Sequence, residues 1–233
     1  MPAKKITQGY FTASKPPFRK QFTDINDILV KKSLGQFTDL IYTEKELGTT
    51  ANEVLQAHAG ILAENKFVYA VCVPKPEYVG ITSVVLKAEP AKSISRTKDF
   101  LEIPAGAGLL CLDLDGKHGT EIEKYNQLLG IMPEFRDVAA LIMPSSSARV
   151  CKVGSREPYK RSCHIYIVIS DRSKTIQIKE LIVRRARKVN LSVAKVNKAG
   201  QVIAEDFIDD SLFTASSIIS DIEPIVSAGC ELF

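Results

Sequence analysis

A chain of 233 residues with 45% hydrophobic and 25% charged side chains is long enough to bury a sizeable core and reads as an ordinary globular protein. Its net charge of +4 is too mild to mark a nucleic-acid binder by itself. No stretch reaches the ~20 consecutive apolar residues that cross a bilayer, and Met1-Pro-Ala-Lys-Lys5 leads into a polar segment, so the expectation is neither membrane nor secretion.

In chain order, residues 1 to about 25 are polar, contain Pro16-Pro17 and lack an apolar period, which predicts an extended arm. Thr50-Ala-Asn-Glu53 is a capping-box pattern followed by Val54, Leu55, His58, Ile61 and Leu62 at helical spacing. This predicts a helix to about Glu64 with His58 on its surface or at the core edge. Lys66 to Val73 and Thr82 to Ala88 read as strands. The runs Gly108 to Leu114, Val138 to Met143 and Cys163 to Ile169 are short and almost wholly apolar, the pattern of strands buried on both faces. Between Ser173 and Asn190, the spacing of Ile178, Leu181, Ile182, Ala186 and Val189 predicts a helix that turns Arg184, Arg185 and Lys188 outward. A strand from Leu191 to Val196, a turn at Asn197-Lys-Ala-Gly200 and a structured stretch through Asp209 complete an α/β or α+β unit. The five cysteines, Cys72, Cys111, Cys151, Cys163 and Cys230, form no CxxC pair, so they read as reduced, mostly buried thiols of a cytoplasmic protein without structural zinc.

The strand Gly108-Leu-Leu-Cys-Leu-Asp113-Leu-Asp115 ends on two carboxylates at i and i+2. Strand alternation sets both on one face about 7 Å apart, where they repel unless a cation such as Mg²⁺ or Mn²⁺ lies between them. Haloacid-dehalogenase phosphatases also begin their chemistry on an Asp-x-Asp-Gly strand end. Lys117, at the position where that pattern has Thr or Val, and the mid-chain location argue against that class. Ser162-Cys-His164 opens a second strand behind Lys160-Arg161, with Ser145-Ser146-Ser147 upstream; hydroxyls, imidazole and cations together suit a polyphosphate. A third apolar run, Phe207-Ile208, again leads into an acid, Asp209.

Taken in order, DxD, then SxH, then an apolar-Asp, these motifs resemble the three motifs of the archaeo-eukaryotic primase superfamily, and the run Asp209-Asp-Ser-Leu-Phe213 resembles the third motif of its phage and plasmid members. The likeness spans roughly Ser95 to Glu231. It implies an α+β primase–polymerase core, in which residues 1–95 form an N-terminal arm and α/β module and residues 96–233 an RRM-like β-sheet module carrying the metal site. It implies further that Asp113, Asp115 and Asp209 hold two Mg²⁺ or Mn²⁺ ions. Asp210 is the lesser candidate, because Asp209 has the motif's spacing to Phe213. Ser145, Ser147, Lys160, Arg161, Ser162 and His164 would contact an incoming NTP or dNTP, and Arg184, Arg185 and Lys188, or the arm Lys15 to Lys20, a single-stranded DNA template. Activity as a DNA primase or polymerase, a helicase domain or partner downstream, and a prokaryotic phage or plasmid setting belong to the same implication. The family often has an arginine after the third motif to meet the triphosphate, and Ser216-Ser217-Ile218 has none. A phosphatase and a non-catalytic nucleic-acid-binding module remain the alternatives.

Overall fold

The computed structural model describes residues 5–13, 19–25, 28–34, 40–85, 89, 92–115, 119–159, 161–196, 200–209, 213–214, 217–221 and 223–232. The chain is α+β. Its first half contains β1 (Ile6–Ala13), β2 (Arg19–Ile25), β3 (Ile28–Leu34), β4 (Leu40–Gly48), α1 (Ala51–Ala63), β5 (Phe67–Ala70), β6 (Val73–Pro74), β7 (Ser83–Val84) and β8 (Leu101–Glu102). The second contains β9 (Gly108–Leu114), α2 (Glu121–Ile131), β10 (Ala140–Pro144), β11 (Val150–Lys152), β12 (Cys163–Ile169), α3 (Thr175–Lys188), β13 (Val193–Val196), β14 (Val202–Glu205), β15 (Ile218–Ile219), β16 (Ile225–Val226) and β17 (Cys230–Leu232).

The N-terminal segment is not an arm. β1 is the middle strand of a five-stranded sheet ordered β15-β5-β1-β4-β7, with Tyr10 and Phe11 fully buried on its two faces. Buried Gln8 is tolerated because its amide donates to the carbonyl of Ala70 (2.9 Å), and the Tyr42 ring lies where a side chain on Gly9 would be. Those polar and glycine positions are what hid the strand. α1 begins as expected, with Thr50 as N-cap and a complete capping box to Glu53. His58 corrects the surface expectation: it is fully buried, sharing a 2.6 Å hydrogen bond with Tyr10 and lying 4.3 Å from the Tyr166 ring. The expected strand from residue 66 to 73 is broken into β5 and β6, and of the expected strand 82–88 residues 86–88 lie outside the described residues while β7 takes up Ser83–Val84.

A three-stranded sheet, ordered β10-β12-β9, carries the motifs. β12 runs antiparallel to both neighbours, so β9 and β10 are parallel to each other and joined through α2, a split βαβ arrangement. In the β9–β12 register Asp113 faces His164 and Cys111 faces Tyr166. Alternation puts these four on one face, toward α1 and the five-stranded sheet, and the Tyr69 hydroxyl donates across to the Leu109 carbonyl (2.7 Å). The other face, Leu110, Leu112, Leu114, Ile165 and Ile167, is equally buried in one apolar cluster with Leu128 and Ile131 of α2 and Ile182 and Ala186 of α3. Burial on both faces is why β9 and β12 read as unbroken apolar runs, whereas β10, at one edge of the sheet, is only half-buried along its length.

The chain then returns to its start: β15 pairs with β5, β16 with β2, and β17 with β11. β15 and β16 therefore join sheets begun by β1 and β2, β17 forms a two-stranded sheet with β11, and the main core holds Tyr10, Val54 and Tyr69 together with Leu112, Ile165 and Ile182.

Candidate functional site

The site forms where β9 and β12 leave the sheet. Leu114 is wholly buried between Asp113 and Asp115, which anchors the strand end and leaves both acids on the face opposite to Leu114. Asp113 Oδ2 lies 3.5 Å from His164 Nε2, while its Oδ1 is buried and, among the described residues, has no hydrogen-bond partner. Asp115, at the rim, is exposed. Asp209 joins them through the main chain: its N–H donates to the Asp113 carbonyl (2.9 Å), and buried Phe207 and Ile208 pin the segment alongside β9.

His164 is held on its far side by a residue that the sequence motifs do not name. Its Nδ1 lies 2.5 Å from Asp221 Oδ1, and the Tyr166 hydroxyl donates to the other oxygen of the same carboxylate, also at 2.5 Å. Asp221 is completely buried, in the link between β15 and β16. Burial opposes a charged His164, but Asp221 and then Asp113 outweigh it and raise the imidazole from 6.5 to about 10. Burial likewise opposes a charged Asp221, yet His164 and Tyr166 hold its carboxyl below the usual carboxylate range. The two neighbouring carboxyl groups thus favour the charged form of His164.

Three serines meet beside it. Ser145 Oγ lies 2.5 Å from Ser162 Oγ and 3.0 Å from Ser147 Oγ, and Ser147 and Ser162 are 3.3 Å apart. Ser145 and Ser162 are buried and Ser147 is half-exposed, so the cluster opens outward through Ser147. Lys20, on β2, reaches the same place and donates to Ser146 Oγ (3.4 Å). Burial and the nearby Lys31 lower the Lys20 ammonium, whereas Asp221, Asp113 and Asp115 pull the other way. Lys124 of α2 donates to the carbonyls of Leu114 and Arg161 and so clips the end of β9 to the residues before β12.

The structure therefore brings together Asp113, Asp115, Asp209, His164, Ser145, Ser147 and Ser162, with half-buried Arg161 adjacent in the chain. Lys160 and Asp210 lie outside the described residues. The cations of α3 do not join them. Arg185 turns back to grip Glu134 with two hydrogen bonds (2.7 and 2.8 Å) and the Ile131 carbonyl (3.0 Å), because Glu134 stands directly beyond α2. Arg184 and Lys188 are exposed. Asp221 is the participant that sequence reasoning missed, and Lys20 was expected only as the end of a template-touching arm, of which residues 15–18 lie outside the described residues. An isolated aspartate before Ile-Glu-Pro and a lysine in a polar stretch carry no local signal of the sheet positions they take up.

Among the described residues no three acidic, imidazole or thiol groups stand close enough to enclose a metal ion. The fit of a cation rests instead on Asp113 Oδ1. Among the described residues no donor meets this carboxylate oxygen, and a divalent cation is one group that would satisfy it. Comparison of the chain with protein-family models, curated proteins and solved structures finds no match.

Proposed function

We propose that this chain is a metal-dependent nucleotidyltransferase of the primase–polymerase type, joining nucleotides on a single-stranded DNA template. One observation carries the reading: three motifs far apart in sequence meet at one strand end, Asp209 by a main-chain hydrogen bond to Asp113 and His164 by the register opposite Asp113. The split βαβ order of β10, β12 and β9, with α3 following β12, supports an RRM-like module.

Asp113, Asp115 and Asp209 would hold Mg²⁺ or Mn²⁺, which when bound supplies charge neutralisation to the attacking and leaving oxygens of an in-line displacement. The protein's own groups bind and orient the nucleotide. The hydroxyls of Ser147 and Ser162 donate to phosphate oxygens, and the imidazolium of His164 offers a charge-assisted donor beside the acids. No protein nucleophile is needed. Template contact by α3 rests on Arg184 and Lys188, since Arg185 is committed to Glu134.

The test is incorporation of labelled NTP and dNTP on single-stranded DNA, with and without primer, in Mg²⁺ or Mn²⁺. Wild type is expected to extend or initiate chains, and Asp113→Asn and Asp115→Asn to fall by about a hundredfold or more while still unfolding cooperatively in thermal melts. Wild type that incorporates nothing under either metal, or acid variants that retain near-normal rates, would overturn the proposal. Release of phosphate from small phosphate esters by the wild type would redirect it to the phosphatase alternative.

A further inference from the structure

We infer that Lys20, seated against Ser146 Oγ, and the hydroxyl of Ser147 form an anion subsite for the polyphosphate of the bound substrate. It would be contributed by the N-terminal sheet to a site otherwise built on β9 and β12. The nucleotide as natural ligand rests on the function proposed above, whereas the subsite rests on the geometry that follows.

An ammonium carries three donors and is strongly hydrated, so a partly buried lysine needs partners. Among the described residues Lys20 has one, the Ser146 hydroxyl at the long distance of 3.4 Å, and none of their carboxylates lies within ion-pairing range of it. Yet Asp113, Asp115 and Asp221 are all near enough for their charges to act on it. The lysine is therefore attracted to the acidic cluster without being consumed by it, and among the described residues two of its three donors meet no acceptor.

The hydroxyls beside it are fixed. Ser146 Oγ donates to the Ser220 carbonyl (2.8 Å), which turns its lone pairs to Lys20, and Ser147 stands half-exposed at the opening of the serine triangle. The site thus has an acidic side at Asp113 and Asp115 and a donor side at Lys20 and Ser147. A polyphosphate carrying a divalent cation has the matching polarity, its cation toward the acids and its remaining oxygens toward the donors. Ser220 adjoins Asp221, so the segment that holds His164 also holds the serine that receives Lys20.

The test uses inorganic tripolyphosphate with Mg²⁺ and isothermal calorimetry on the full chain, alongside the incorporation assay. Lys20→Gln is expected to weaken tripolyphosphate binding by about tenfold or more. Lys20→Arg, which keeps the charge, should restore most of it, and the KM for nucleotide should follow the same order. Should Lys20→Gln fold poorly, Lys20→Met keeps the aliphatic stem and repeats the measurement. Wild type that binds no tripolyphosphate, or neutral variants that bind it as wild type does, overturns the subsite even if nucleotides are incorporated. Lys20-dependent tripolyphosphate binding in a wild type that incorporates nothing would uphold the subsite and overturn the polymerase reading.

Discussion

His58 and His164 are both buried, yet their surroundings push them in opposite directions. His58 lies among Tyr10, Tyr69 and Tyr166, and burial lowers it from 6.5 to about 4. His164, between Asp221 and Asp113, rises to about 10. A histidine with a depressed folded pKa costs stability as pH falls from 6.5 toward 4, because only the unfolded chain takes up the proton there. One with a raised pKa contributes fully below 6.5 and loses that contribution as pH climbs toward 10. With divalent cations chelated, denaturant stability is expected to be greatest near neutral pH. His164→Asn should remove the alkaline decline and His58→Gln the acidic one; unchanged limbs in both variants would contradict these charge states. In the incorporation assay, Asp221→Asn is expected to raise the KM for nucleotide about tenfold with a smaller change in kcat. It should add nothing in a His164→Ala background, since Asp221 acts through the imidazole. Additive effects would assign Asp221 a separate role. The motif acids and His164 were legible in sequence because strand ends carry local pattern; Asp221 was not, because its role exists only once the tail has folded back.

At the scale of the element, the readable features were those with a local period or cap. α1 was announced by its capping box, and β9 and β12 by apolar runs that burial on both faces requires. β1 was illegible because its middle position is justified by partners distant in sequence: the Ala70 carbonyl for Gln8 and the Tyr42 ring for Gly9. Gly108, which opens β9, has a similar origin, since a Cβ there would run into the guanidinium of buried Arg172. Gly108→Ala is accordingly expected to destabilise the fold by about 1–3 kcal/mol, as overpacking does, a change that chemical denaturation would measure. In α3 the helical spacing placed Arg184, Arg185 and Lys188 on one helix, but spacing cannot show that Glu134 waits beside Arg185. Arg185→Ala should leave the salt dependence of single-stranded DNA binding unchanged, whereas Arg184→Ala with Lys188→Ala should flatten it by about 0.7 for each phosphate that is no longer neutralised. A flattened slope for Arg185→Ala alone would return that residue to the template path.

For the whole molecule, the decisive feature is closure of the chain upon itself. A split near residue 95 was the natural division from sequence, because the motifs begin just beyond it. The folded chain has a core continuous from Tyr10 and Val54 to Leu112 and Ile182, and β15 and β16 join sheets begun by β1 and β2. Pairings over such separations leave no local trace. Deleting residues 217–233 is expected to abolish cooperative unfolding, because it removes β15, β16 and β17 and strips His164 of Asp221. The same closure carries Lys20 and Asp221 to the strand ends that bear Asp113 and His164, so the acids, the imidazolium and the ammonium meet only in the complete fold. The central claim, that Asp113 and Asp209 form a divalent-cation site, is tested most directly by titrating Mn²⁺ into the protein with a non-hydrolysable nucleotide and following bound ion by electron paramagnetic resonance. Wild type and His164→Ala are expected to bind Mn²⁺ while Asp113→Asn and Asp209→Asn lose it; Mn²⁺ binding undiminished in both acid variants, or absent from the wild type, would contradict the claim.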